Sequence, residues 1–397
     1  MKKVLFLGGA NAQVPVISEA KSRGYHVVTC DYLPDNPGHK LADEYYNVST
    51  TDIPGILDLA IKINPDFIVA YASDPAAPVA AFVSEKLHLP GNTYDSVSIL
   101  SLKDRFRGFQ KELGLNCPGY IILPENDNPA KLKQLRLPFI VKPVDSSGSK
   151  GVMKVKSFDV IDDAVRYAFS FSRCRKIIAE EYVDNDIADI HGDGFVVNGE
   201  LVFACLGDHI YNSLSNPFNP AGTTWPSLYD GRFINLIRND VASLIKASGF
   251  KNGPVNIEAR INSEGKHYVM EIGPRSGGYF VPQAIYYATG FDMVKALLDI
   301  LEGKEIVIPD QPWKSSAYYA IHSDTGGKLQ EVFFSHVIRP YIRDFHQYIK
   351  EGEDVKPFTG AHAAIGIILL QFPEVTEMVN IMDNIHEHLV VKVLPVE

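Results

Sequence analysis

Two short apolar runs, Val255-Asn256-Ile257-Glu258-Ala259-Arg260-Ile261 and His267-Tyr268-Val269-Met270-Glu271-Ile272, flank the turn sequence Asn262-Ser263-Glu264-Gly265. Folded as a hairpin, their period-2 alternation places Asn256, Glu258 and Glu271 on one face and Ile257 and Ile261 on the other. Two converging carboxylates are hard oxygen ligands. They suit Mg²⁺, which takes one or two carboxylates and completes its shell with phosphate oxygens and water. Arg275 follows at once in Gly273-Pro274-Arg275-Ser276-Gly277-Gly278, where a guanidinium can grip phosphate or carboxylate. Two surface acids on an ordinary hairpin are the plain alternative, and that alternative leaves the arginine and the glycines without a purpose.

Upstream, Phe139-Ile140-Val141-Lys142-Pro143 reads as a strand that delivers a lysine at its end, and Asp145-Ser146-Ser147-Gly148-Ser149-Lys150-Gly151 follows as a small-residue loop. Backbone N–H groups of such a loop cradle phosphate oxygens, because small residues permit close approach. Alone the loop equally fits a hairpin turn, since the G-x-x-x-x-G-K-[ST] spacing is missing. Ile177-Ile178-Ala179-Glu180-Glu181-Tyr182-Val183 is a second strand ending in two acids. Its tip either reads an adenine edge through free backbone groups or carries two solvated acids.

These groups need a scaffold. Val4-Leu5-Phe6-Leu7, Val27-Val28-Thr29-Cys30 and Ile68-Val69-Ala70-Tyr71 read as buried strands, with helices between them and over Ala76–Leu87, which predicts a small doubly wound domain. Gly8-Gly9 falls short of G-x-G-x-x-G and argues against a dinucleotide site. Asp31 and Asp74 follow predicted strands; an N-cap before the Pro75 helix serves Asp74 as well as a cleft does, and neither ranks as catalytic. Lys103–Leu113 is helical, Cys117-Pro118 breaks it, and short strands run to about residue 206. Asp208–Asp230 has little periodicity and reads as a functional loop. From Pro312 strands and helices return. There is no internal repeat or low-complexity tract.

A chain of 397 residues, 46% hydrophobic and 22% charged, is long enough for two or three domains of ordinary globular composition. The net charge of −10 without a basic run gives no footprint for nucleic acid. Four scattered cysteines, without a C-x-x-C pair, argue against a zinc site or disulfide framework and are expected to be buried in a protein of the reducing cytoplasm. Met1-Lys2-Lys3 imitates the start of a signal peptide, but Val4–Leu7 is a strand's worth, and Ala363–Leu370 is far below the roughly 20 residues that span a bilayer. No targeting or membrane segment is expected.

Taken together, the residues resemble the ATP-grasp superfamily, in the right order over roughly residues 1–310. The resemblance implies an α/β architecture: a doubly wound N-terminal domain (1–102), an ATP-grasp domain (103–310, with a lid lobe at about 118–183) and a C-terminal α/β subdomain (311–397). It implies that Lys103 and Lys142 hold ATP phosphates under a loop formed by Ser146, Ser147, Gly148, Ser149 and Gly151. Glu180, Glu181, Tyr182 and Val183 would form the adenine hinge, Asp189 the ribose contact, Glu258 and Glu271 the ligands of Mg²⁺ (or Mn²⁺), and Arg275 the stabiliser of an acyl phosphate. One departure is that Gly273 stands where the family usually carries Asn, leaving open one or two metals, with Asn256 as a substitute ligand. The segment from Asp184 to Asp189 is also longer than the family's usual Gly-x-Glu. The implied activity is ADP-forming carboxylate–amine ligation of small molecules by a cytoplasmic enzyme, with a homodimer as a possible assembly. Glu-x-x-x-Arg-Ser-Gly-Gly stands nearest to the amino-acid ligases. A purine-pathway or carboxyphosphate-forming enzyme is the alternative, and a nucleotide-binding module without catalysis is the alternative of another class.

Overall fold

The computed structural model describes residues 1–185, 187–211 and 214–395. Four parallel strands form the first sheet: β1 (Lys3–Leu7), β2 (His26–Cys30), β3 (Glu44–Tyr46) and β4 (Phe67–Val69), in the order β3-β2-β1-β4. Val4 to Leu7 are wholly buried, as expected of a strand covered by helices on both faces. Those helices are α1 (Val14–Ser22), α2 (Ile53–Ile63) and α3 (Ala77–Lys86). The α2 helix starts where the Asp52 carboxylate accepts from Gly55 N–H at 3.2 Å, and it stops at Asn64, whose φ of 48° is left-handed. Two further helices, α4 (Tyr94–Ser101) and α5 (Lys103–Glu112), lead out of this region.

A four-stranded antiparallel sheet of β5 (Tyr120–Pro124), β6 (Phe139–Pro143), β7 (Met153–Val155) and β8 (Lys176–Glu181), ordered β5-β8-β6-β7, forms the lid. Its helix α6 (Ile161–Phe169) buries Ile161, Ala164, Val165 and Ala168, one stripe at helical spacing.

The third sheet supplies the floor. It comprises β9 (Ile190–Val197), β10 (Glu200–Ile210), β11 (Gly222–Trp225), β12 (Gly253–Ile261), β13 (His267–Gly273), β14 (Ser315–Ile321), then, beyond β15 (Gly327–Phe334), β16 (Ile342–Gln347), and, beyond β17 (Asp354–Val355), β18 (Gly366–Phe372). The order is β13-β12-β9-β10-β11-β14-β18-β16, so strands of the C-terminal region continue the same sheet. A small sheet β17-β15-β19, with β19 (Leu389–Leu394), lies beside it.

One face of the large sheet is covered near β10 and β13 by α7 (Gly231–Ser248), which is capped by Asp230 and ended by left-handed Gly249. Its buried Ile237, Val241, Leu244 and Ile245 meet Ile257, Val269 and Ile272. The remaining long helices are α8 (Val281–Thr289), α9 (Met293–Leu301) and α10 (Val375–Asp383). Val294, Leu297 and Leu298 of α9 join the core of the first sheet, and Arg23 of that region pairs with Asp299 at 2.7 Å. The N-terminal sheet is thereby anchored to the body.

The expected doubly wound start, the helix from Lys103 and the 255–272 hairpin are all present. The reading of 208–230 as one loop is corrected: its first residues end β10 and Gly222–Trp225 form β11. Residues 212 and 213 of that segment, and residue 186 of the 184–189 segment, lie outside the described residues. The cysteines also depart from expectation, with Cys30 and Cys205 buried, Cys117 partly buried and Cys174 exposed.

Candidate active site

The large sheet, the lid and the end of the N-terminal sheet enclose a cavity of about 700 Å³. All the site residues singled out in the sequence line it except Gly151, which packs beneath the loop, where a side chain would meet Pro143 at 2.8 Å and φ is +74°. Ser146, Ser147, Gly148 and Ser149 line it as backbone-rich loop, with positive φ at Gly148 and Ser149.

Glu258 and Glu271 stand directly opposite each other on β12 and β13. A bulge makes Met270 the extra residue, since Glu258 pairs with Glu271 but Ala259 pairs with Val269. Glu258 opens into the cavity yet is walled by protein; enclosure and the Glu271 carboxylate push its pKa up to about 7. Among the described residues no trio of His, Cys, Asp or Glu converges as a metal cage. Two carboxylates that leave the remaining positions to phosphate and water match Mg²⁺.

Both predicted lysines stand beside carboxylates. Lys103 Nζ donates to Ser146 O at 2.8 Å and lies 3.7 Å from Glu271. Lys142 Nζ lies 2.7 Å from Glu180. Glu180 is not a solvated acid at a strand tip, because it is 2% exposed and also receives Arg107 Nε at 2.9 Å and Nη2 at 3.2 Å. Despite the cost of burial, Arg107 and Lys142 together hold the Glu180 carboxyl down to about 2. Burial and the neighbouring cations lower the Lys142 ammonium, against the pull of Glu180. The amides of Glu181 and Tyr182 are engaged by Gly119 O (2.8 Å) and Pro138 O (3.0 Å), and Val183 O accepts from Arg260 at 2.7 Å. Asp189 is held by Arg260 (2.6 Å), Tyr211 (2.8 Å) and Asn185 (2.9 Å).

Arg275 is gripped by Asp74 through two bonds of 2.7 and 2.6 Å. Asp74 is therefore no helix cap; α3 begins three residues later. A side chain at Gly273 would meet Asp74 Oδ1 at 2.9 Å and the Arg275 guanidinium at 3.2 Å. The absence of Asn there thus has a steric cause: the Asp74–Arg275 pair fills its space.

Several residues escaped the sequence reading. Arg107 and Gln110 follow Lys103 at i+4 and i+7 on α5, and they donate to Met270 O and Val269 O at 2.8 Å. That polar stripe was visible as a helical period. Asp193, wholly buried, accepts from Gly277 N–H (2.8 Å) and Asn256 Nδ2 (2.8 Å), holding the turn that carries Arg275; burial raises it to about 6. Asn256 is thus engaged in positioning. Its Nδ2 also lies 2.9 Å from His191 Nε2. No sequence signal marked Asp193 or His191, since their partners lie on other strands.

A lid sheet and an antiparallel floor closing on such a cavity, behind a doubly wound domain, define the ATP-grasp fold. Residues 135–283 match the family model described as an ATP-grasp domain. The chain is 27% identical over 231 residues to the carbamoyl phosphate synthase large chain of Thermoanaerobacter sp. (strain X514), covering 56% of this chain and 20% of that one. It is 29% identical over 199 residues to the formate-dependent phosphoribosylglycinamide formyltransferase of Bacteroides thetaiotaomicron, covering 47% and 49%. The chain thus spans a fifth to a half of these relatives. The L-amino acid ligase of Bacillus licheniformis has the same fold, with a TM-score of 0.82 at 19% identity over 99% of both chains. Among the described residues no helix is long and apolar enough to cross a membrane.

Proposed function

We propose that this chain is an ADP-forming ligase that uses ATP to phosphorylate a small carboxylic acid and then joins the acyl group to an amine. The observation that carries the reading is the opposition of Glu258 and Glu271 within reach of Lys103, with Lys142 and Arg275 lining the same cavity.

In this reading Lys103 and Lys142 exchange their carboxylate partners for nucleotide phosphates, and the 146–151 loop closes over them to exclude water. Glu258 and Glu271 would hold Mg²⁺, which when bound neutralises phosphate charge and orients the γ-phosphoryl group. Arg275, aimed by Asp74, steadies the oxygens of the acid as one of them attacks the γ-phosphorus, and the bond to the β–γ bridging oxygen breaks to release ADP. The acyl phosphate is then opened by the amine, with inorganic phosphate leaving.

Hydroxylamine, a small strong nucleophile, should trap the activated acid as a hydroxamate in the presence of MgATP. Glu271→Gln should keep the fold and lose on the order of a hundredfold or more of this activity, like removal of a single transition-state stabiliser. An acid that stimulates ADP release yet gives no hydroxamate, and whose carboxylate oxygen never appears in the released phosphate, overturns the mechanism. Stimulation by bicarbonate alone would favour a carboxyphosphate-forming enzyme.

A further inference from the structure

Across the floor of the cavity the chemistry changes strand by strand. In strand order, Glu271, Glu258 and His191 stand side by side on β13, β12 and β9, while His209, Thr223 and Tyr318 stand side by side on β10, β11 and β14. Thr223 Oγ1 lies 2.8 Å from His209 Nδ1 and 3.3 Å from His191 Nδ1, which puts both sets on one face. At about 4.8 Å per strand, the floor from Glu258 to Tyr318 covers roughly 19 Å.

The lysines and arginines that line the cavity are Lys103, Lys142, Lys150, Arg260 and Arg275, and the exposed His362 lines it as well. Four stand beside Glu271, Glu180, Asp189 and Asp74 respectively, and Lys150 is exposed on the loop. The β10-β11-β14 end offers other groups: the stacked His191 and His209 rings at 4.2 Å, the Tyr318 ring 5.4 Å from that of Tyr279, and Phe218, whose carbonyl accepts from Ser149 Oγ of the loop at 3.0 Å. Two polar side chains there, Asn219 and Tyr279, are buried beside each other, with Asn219 as the hydrogen-bonding neighbour of the Tyr279 hydroxyl. Burial keeps both imidazoles neutral, His209 falling to about 4.

We infer that this end receives an uncharged, ring-bearing side group of the acid or the amine, and not a phosphate ester, with Asn219 and Tyr279 bonding to a polar atom on it. The inference rests on the ligase reading for its place in a reaction, but not for binding. A phosphate dianion taken out of water needs charge-assisted donors, and this wall has neutral ones. Ring faces and a neutral amide–hydroxyl pair suit a flat, neutral group with a polar atom.

The protein carries two tryptophans. Trp225 is buried 6.0 Å from the Tyr318 ring and 6.3 Å from the His191 ring, centroid to centroid, whereas Trp313 is 46% exposed. Full-length Trp313→Phe therefore reports this wall through Trp225 emission alone. It should be titrated with L-tyrosine, L-phenylalanine and 4-hydroxybenzoate, and with O-phospho-L-tyrosine and O-phospho-L-serine, each with and without MgATP. A saturable change below about 1 mM is expected for at least one neutral-ring probe, and none for the phosphate esters. Asn219→Ala in the same background should weaken that binding about tenfold, as for a lost buried hydrogen bond. Tyr279→Phe gives the second variant, and an unchanged melting shift with MgATP shows that each is folded. If no neutral-ring probe binds, or if a phosphate ester binds as tightly and Lys150→Ala abolishes it, the inference is overturned. Binding of a ring probe without stimulated ADP release keeps the inference and removes the ligase reading. Stimulation by phosphate esters alone does the reverse.

Discussion

At the scale of single residues, the site is governed by which charges stand beside which. Glu258 faces Glu271, and enclosure together with that second carboxylate pushes its pKa up to about 7. Proton and metal then compete for one carboxylate. Below pH 7 Glu258 is mostly protonated and must release the proton to ligate, so Mg²⁺ affinity should fall about fivefold as pH drops from 7 to 6 and level off towards pH 8. Mg²⁺ titrations at pH 6, 7 and 8, followed by nucleotide affinity, test this. A flat profile would remove Glu258 from the metal site. Gly273 shows the opposite economy of space, since the room that a side chain needs is already filled by Asp74 and Arg275.

At the scale of elements, α5 acts as a rivet. Its Lys103, Arg107 and Gln110 face the loop, β8 and β13 at once. Arg107 is 1% exposed and shares Glu180 with Lys142. Replacing it with Met would leave Glu180 partly unpaired and free the Met270 carbonyl of β13, so Arg107→Met should cost about 3–5 kcal/mol in urea denaturation. Arg105→Met is the control, because its partner Asp95 is 73% exposed and surface changes stay within about 0.5 kcal/mol. Equal effects at both positions would show that α5 is not held by its buried arginine. The bulge at Met270 belongs to this scale too, for it turns a carbonyl toward Arg107 while Glu271 stays opposite Glu258.

At the scale of the whole molecule, the buried ion cluster joins lid, α5 and floor, so its protonation is felt globally. Glu180 has a folded pKa of about 2 against an ordinary 4.5. Its contribution is fully present above pH 4.5 and lost as pH falls toward 2, at most about 3 kcal/mol. Asp193 works the other way: raised from 3.8 to about 6, it costs stability above pH 6, and that cost is relieved as pH falls from 6 to 4. The melting temperature should therefore hold or rise slightly from pH 7 to 5 and then drop below 4.5. Glu180→Gln should shorten that drop, and an unchanged acid limb would contradict the assignment. A ligand that closes the lid on the floor also acts globally. MgATP at a hundred times its Kd should add about 2.7 kcal/mol of stability, seen as a raised melting temperature that NADH does not produce; a shift with NADH and none with MgATP would contradict the reading of the Gly8-Gly9 turn.

What the sequence determined by itself is what depends on local period. Buried apolar runs set β1, β2 and β4, alternation set the faces of β12, and a turn of Asn262 to Gly265 set the hairpin that opposes Glu258 and Glu271. The residues proposed for phosphate and metal could be picked out because they sit at the ends of those elements. Tertiary structure alone decided the partners. Asp74 meets Arg275 across 201 positions, Glu180 meets Arg107 across 73, and Asp193 meets Gly277 across 84. Such pairs leave no periodic trace, because a charge is matched through space by whatever element the sheet order brings beside it. The neutral wall of His209, Thr223 and Tyr318 was hidden for the same reason: each residue is unremarkable on its own strand, and only the order β10-β11-β14 makes them neighbours.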